Sequence, residues 1–142
     1  SMIDPRRPGV MFSLGNAAQA LDPFWWGEAE PIWITAEKAG LRTATMFWPG
    51  SEVAHDDRRP ADWLRFDQNV SNVQRVNTLI DWLRRPAAIR PSFATIYFDT
   101  VDTQGHRFGP DSAEVNAALA EVDARIGELV DGAKALGVPV NW

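Results

Sequence analysis

The chain has 142 residues, 45% of them hydrophobic, with 14 Lys and Arg against 19 Asp and Glu for a net charge of −5. That is enough apolar content to build the core of one ordinary domain, and it excludes a disordered chain. The absence of Cys excludes disulfides and thiolate metal sites, no basic stripe of the kind that grips a nucleic-acid duplex is present, and no apolar run is long enough to span a membrane.

Met2 to Pro8 holds Asp4-Pro5 and Arg7-Pro8 and reads as a loop. Val10 to Leu14 reads as a short strand. Asn16 to Glu30 is aromatic but aperiodic, an irregular surface segment. Pro31 suits a first helical turn, the helix continues from Ile32 to Ala39, and Gly40 closes it. Leu41 to Trp48, rich in Thr and aromatics, is a strand ended by Pro49-Gly50. Ser51 to Pro60 is a polar loop. Val73, Val76, Leu79, Ile80 and Leu83 share one face of a helix over Asn72 to Arg85, which Pro86 stops. Ser92 to Phe98 has the near-continuous apolar character of a buried parallel strand. A Gly-containing loop follows. Asp111 and Glu114 then open a helix to Leu136, with Val115, Leu119, Val122, Ile126, Leu129, Ala133 and Leu136 in one stripe over a length of about 39 Å. Gly137 ends it, and Val138 to Trp142 reads as the entry to another strand.

This alternation of helices and strands predicts an α/β fold with a mainly parallel sheet and flanking helices. Two confident strands do not make a stable sheet. Further strands must come from the irregular regions or from sequence outside this chain.

Functional groups in open α/β folds gather beyond the carboxyl ends of strands. Asp102 and His106 follow the second confident strand, and Gly105 lets a loop fold back so that the two converge. A carboxylate and an imidazole together suit a borderline cation such as Zn²⁺. A capping Asp and a surface His ahead of a helix fit the same spacing. Asp99 is a further carboxylate that could be a ligand, a partner of a ligand or a solvated acid. His55 sits in a polar loop and reads as surface. The seven Trp suit either a Trp-rich core or an aromatic pocket for a planar ligand. No Ser or Thr lies in a nucleophile motif, and no Gly-rich phosphate loop is present.

Val101-Asp102-Thr103-Gln104-Gly105-His106-Arg107-Phe108-Gly109-Pro110 resembles the Asp-x-x-Gly-His-x-x-Gly-Pro motif of the nucleotide pyrophosphatase/phosphodiesterase family, a branch of the alkaline phosphatase superfamily. Met2-Ile3-Asp4-Pro5, Trp25-Trp26-Gly27 with Pro31-Ile32-Trp33, and Phe47-Trp48-Pro49-Gly50-Ser51-Glu52 match in the same order. The resemblance implies part of an alkaline-phosphatase-like fold, with residues 1–142 an internal fragment of a phosphodiesterase catalytic domain.

It further implies a two-zinc enzyme hydrolysing nucleotide phosphodiester or pyrophosphate bonds. Asp102 and His106 take the place of ligands to one zinc. The remaining ligands and the nucleophilic Thr belong to parts of the domain outside this chain, so the isolated chain is expected to be inactive. A phosphate-binding Asn is expected immediately before Ser1, which is itself either native or a cloning remnant. By motif position, Tyr97 stacks on a nucleobase, Phe66 closes its other face, Leu14 and Trp48 wall the pocket, and Glu52 stands near base and ribose. Ordinary core positions remain an alternative for Leu14 and Phe66.

Two departures bear on the substrate. Gly27 to Pro31 is one residue longer than the pattern, and no Lys lies near Asn16 to Leu21. The implied partners are a nucleotide-like phosphodiester and the rest of the catalytic domain, and the implied location is periplasmic or secreted, although no signal peptide is present. A phosphomonoesterase or phosphonate hydrolase of the same superfamily, and a non-catalytic binding module, are the alternatives.

Overall fold

The computed structural model describes residues 2–142. Ser1, whose origin the sequence leaves open, lies outside the described residues. Met2–Ile3 (β1) and Met11–Phe12 (β2) pair antiparallel, Met2 opposite Phe12. The first of these lies in the stretch expected to be a loop. A two-residue strand carries no periodic signal; its partner strand defines it.

The segment expected to be irregular holds two capped turns. The Asn16 side chain accepts from Ala18 N–H at 3.0 Å to open Ala17–Ala20 (α1). Asp22 accepts from Phe24 N–H at 2.9 Å to open a 3₁₀ turn at Pro23–Trp25. Both use the side-chain oxygen to satisfy a donor that the first turn leaves orphaned. Trp25 and Trp26 then pack on Phe12 with ring centroids 5.3 and 5.8 Å away.

The rest runs Ile32–Lys38 (α2), Thr43–Met46 (β3), Asp62–Trp63 (β4), Asn72–Leu83 (α3), Phe93–Ile96 (β5), Thr100–Phe108 (α4) and Ala113–Ala135 (α5). The strands form a parallel sheet in the order β4-β3-β5. The register sets Thr43 opposite Phe93 and Met46 opposite Ile96. All four residues of central β3 are buried. Ala44 and Met46 join Val76, Leu79 and Trp82 of α3 and Leu129 of α5 in the main core cluster. Thr43 is held by α2, its N–H and hydroxyl both donating to Glu37 Oε1 at 2.7 Å.

The third strand resolves the two-strand difficulty. It too is only two residues long, and Asp62 anchors it through ion pairs to Arg42 and Arg85.

Helix ends follow local chemistry. Ser71 and Gln74 form a reciprocal capping box at the start of α3. The cap of α5 is Ser112, which accepts from Val115 N–H at 3.2 Å, one residue after the expected Asp111. Two apolar stripes differ from expectation. On α3, Val76, Leu79 and Leu83 are buried as expected, but Val73 is exposed, and Arg75 and Trp82 join the buried face. On α5, Leu119 and Ile126 face outward while Val115, Ala118, Leu129 and Ala133 are buried. Val138 to Trp142 forms no strand.

Candidate functional site

The carboxyl ends of β3 and β5 deliver aromatic residues side by side. Tyr97 N–H donates to the Met46 carbonyl at 3.0 Å, extending the ladder one residue past β5. Phe47, next to Met46, has φ +62, a left-handed conformation that is strained for a bulky residue and costs about 1–3 kcal/mol. Its ring is buried and meets Phe66 edge-on at 5.4 Å. The chain then reverses at Pro49-Gly50. Gly50 has φ +80, and a Cβ there would lie 2.6 Å from the Trp26 ring. Trp26 is fixed in that place by its indole N–H, which donates to the Ala20 carbonyl at 2.9 Å.

A cavity of about 350 Å³ opens beyond these strand ends, and Leu14, Trp48, Glu52, Phe66, Tyr97 and Asp102 all line it. Leu14 is 60% exposed and Phe66 44%, so neither is a core residue. Glu52 Oε1 accepts from Phe66 N–H at 2.8 Å, so one of its oxygens holds Phe66 in place. The rings of Phe66 and Tyr97 stand 6.1 Å apart at 63°, an edge contact. A base sandwiched between parallel rings needs about 7 Å between the planes, two van der Waals layers. At 6.1 Å and 63°, Phe66 and Tyr97 do not form such a sandwich. Burial, and then the carboxylates of Asp102 and Asp99, hold the Tyr97 phenol above its ordinary pKa, so the ring is neutral.

Asp102 and His106 are on a helix, not in a loop. They lie one turn apart on α4, with Asp102 Oδ1 3.4 Å from His106 Nε2 and side chains 66% and 82% exposed. The four-residue spacing alone puts both on one face, so the hinge expected at Gly105 is unnecessary. Gly109, at φ +87, ends the helix. Thr100, Val101, Thr103 and Gly105 are poor helix formers, and tertiary contacts stabilise α4 in their place. Asn72 Nδ2 reaches both Thr100 Oγ1 at 2.7 Å and Glu121 Oε2 at 2.6 Å, tying α3, α4 and α5 together. Asp102 lines the cavity; His106 does not. Among the described residues no group of three His, Asp or Glu side chains converges to hold a metal ion.

Asp99 is buried and is not a solvated acid. Its Oδ1 accepts from Arg75 at 2.7 Å and its Oδ2 from Gln68 at 3.1 Å. Burial disfavours its charge, but the hydrogen bonds from Arg75 and Gln68 outweigh that, and its pKa lies below the ordinary Asp value. Arg75 is a residue the sequence reading misses. The available signal is an Arg in line with Leu79 and Trp82, four and seven residues on, on the buried face of α3. His55 also departs from expectation. It is half-buried, its Nε2 has no partner, and desolvation lowers its pKa.

Comparison with known proteins agrees with this architecture. The family model for type I phosphodiesterase / nucleotide pyrophosphatase matches residues 1–141. Ectonucleotide pyrophosphatase/phosphodiesterase family member 1 of Homo sapiens is 38% identical over 137 residues, covering 96% of this chain and 14% of that protein. Family member 3 of Bos taurus is 44% identical over 123 residues, covering 87% of this chain and 14% of that protein. Venom phosphodiesterase 1 of Crotalus adamanteus is 42% identical, again over 87% of this chain and 14% of that protein. This chain thus spans about one-seventh of the length of these relatives.

Among solved structures, an inactive variant of murine ectonucleotide pyrophosphatase / phosphodiesterase 5 in complex with AMP superposes with a TM-score of 0.79 at 32% identity. That match covers 89% of this chain and 33% of the other. The parallel sheet and flanking helices are part of an alkaline-phosphatase-like fold. With the match extending over nearly every residue, the chain belongs to the type I phosphodiesterase / nucleotide pyrophosphatase family.

Proposed function

We propose that this chain is an internal segment of the catalytic domain of a zinc-dependent phosphodiesterase/nucleotide pyrophosphatase, carrying its base-binding cleft and one pair of zinc ligands. The observation that carries this reading is that Leu14, Trp48, Glu52, Phe66, Tyr97 and Asp102 all line one cavity. A neutral phenol ring at one side offers a stacking face for a base, which is sequence-tolerant because every base has such a face. Trp48 and Leu14 supply apolar walls. Glu52 steadies Phe66 through its backbone. Asp102, at the rim, points to the α4 end as the place of the phosphate. The AMP held by the murine relative supports a nucleotide as the ligand class.

The Asp102 and His106 pair fits zinc. Two donors on a tetrahedral zinc with bonds of about 2.0–2.1 Å lie about 3.4 Å apart, and Asp102 Oδ1 and His106 Nε2 are 3.4 Å apart. They fill half of such a site, and the other ligands and the nucleophile come from the rest of the domain. When bound, zinc would stabilise charge on the phosphoryl oxygens as a Lewis acid. On this reading the 142-residue chain alone does not hydrolyse diesters. The names of the venom and ecto-type relatives support a secreted setting.

The test uses the full-length protein. A nucleoside p-nitrophenyl phosphodiester should be hydrolysed at least tenfold faster than p-nitrophenyl phosphate, and a chelator should abolish both rates until zinc is restored. Faster monoester turnover, or activity indifferent to chelation, would overturn the reading.

A further inference from the structure

Arg75 is the largest fully buried side chain described, and only 1% of it is exposed. Its guanidinium lies 5.1 Å from the Phe47 ring centroid and 5.8 Å from that of Phe66. Its Nε donates to the Val70 carbonyl at 3.0 Å. One terminal nitrogen donates both to the Tyr97 carbonyl at 3.0 Å and to Asp99 Oδ1 at 2.7 Å. Asp99 is the residue from which α4 springs, and its carboxylate is not used to cap that helix. Its second oxygen instead accepts from Gln68 and, at 3.3 Å, from the Thr103 hydroxyl within α4. A single planar cation therefore touches both aromatic sides of the cleft and the root of the helix that carries Asp102 and His106.

A buried ion pair is weak evidence for stability, because desolvating two charges offsets their attraction. Well-packed apolar residues would hold α3 against the sheet equally well. A planar group with donors in several fixed directions does something a hydrophobic residue cannot: it fixes angles between the groups it bonds. The elements it joins are those that must keep register for a ligand to reach from cleft to helix.

We propose that Arg75 is a positioning residue that, through Asp99, sets the aromatic cleft and α4 at the spacing a nucleotide diester requires. This rests on the nucleotide-diester reading above. Arg75 touches no substrate. It acts through the backbone of Tyr97, the ring of Phe66 and the first turn of α4.

The test is made in the full-length protein with Arg75→Lys and Asp99→Asn. Lys keeps the charge but gathers its donors on one nitrogen, whereas Arg75 places donors at two: Nε for the Val70 carbonyl and a terminal nitrogen for the Tyr97 carbonyl and Asp99. Asn keeps the size and an acceptor but not the charge. Two substrates share one leaving group: a nucleoside p-nitrophenyl phosphodiester, which spans cleft and helix, and methyl p-nitrophenyl phosphate, which has no base. Each variant should lower kcat/KM for the nucleoside diester at least tenfold more than for the methyl diester. AMP affinity, measured by calorimetry on chelator-treated protein, should fall about tenfold for Arg75→Lys.

An equal fall for both substrates, or unchanged AMP affinity, would show a merely structural role and overturn the proposal. If Arg75→Lys does not fold, Asp99→Asn decides by the same substrate ratio. Tyr97→Ala is the control. If it shifts the ratio and the other two do not, only the positioning role fails. If it leaves the ratio unchanged, the base-cleft reading fails and the positioning role with it.

Discussion

Phe66 and Tyr97 meet edge to face across the mouth of the cleft, their ring centroids 6.1 Å apart and their planes at 63°. Phe66 is held from behind by Glu52 on its backbone and by the Phe47 ring at 5.4 Å. Tyr97 is pinned to β3 through its N–H. Tyr97 is thus held by the sheet itself, and Phe66 by one backbone hydrogen bond and one ring contact.

Removing the ring held by the sheet should cost more than removing the other. Stacking contributes about 1–3 kcal/mol per base. Tyr97→Ala in the full-length protein should raise KM for a nucleoside diester by about tenfold or more, and Phe66→Ala by less. Steady-state kinetics on the two variants checks the order.

Gly50 should tolerate no side chain. A Cβ would meet the Trp26 ring at 2.6 Å, and φ +80 is unfavourable for Ala in any case. Gly50→Ala should destabilise by about 1–3 kcal/mol, the range of overpacking and backbone strain. It should also raise KM, because Trp26 and Gly50 both line the cleft. Denaturant melts and kinetics together read both effects.

Asp62 gives stability a pH dependence of known sign. The hydrogen bond from Arg85 holds its pKa below the ordinary Asp value, with burial opposing and the Arg85 and Arg42 charges assisting. A depressed folded-state pKa adds stability above the unfolded value of about 3.9, and that stability is lost as pH falls through the folded value. The deficit of Asp62→Asn relative to the native protein should be full near about pH 6 and shrink below about pH 4. Urea melts at the two pH values measure it.

Elements with internal periodicity were legible from residue order. The run of apolar and β-prone residues before Tyr97 gave β5, although the strand is half-buried with Ala94 exposed rather than the buried strand expected, and the spacing of Val76, Leu79 and Leu83 gave α3. Elements defined by a distant partner were not. Asp62–Trp63 is a strand only because Ala44 and Thr45 pair with it. α4 is helical against the preferences of Thr100, Val101 and Gly105, because it packs on α5 and is tied to Asn72. Of the residues that line the cavity, Tyr97, Trp48 and Asp102 are singled out by motif position. Arg75 is not, because a charged residue on an apolar stripe reads as an error in the stripe until its partner Asp99, across the fold, is seen.

Two ligands fill half of a tetrahedral site. The 142-residue chain by itself should therefore bind zinc no tighter than micromolar, and calorimetry on that segment would measure it. Sub-micromolar binding would mean that a third donor joins Asp102 and His106 within the chain.

The central claim is that α4 presents Asp102 and His106 as a zinc-binding pair beside a nucleotide cleft. The most direct measurement is the zinc content of the full-length protein with Asp102→Ala and with His106→Ala, taken with its rate on a nucleoside diester. The account predicts that each variant loses about one zinc per chain and at least about a hundredfold in kcat. Zinc content and rate equal to those of the native protein would contradict it.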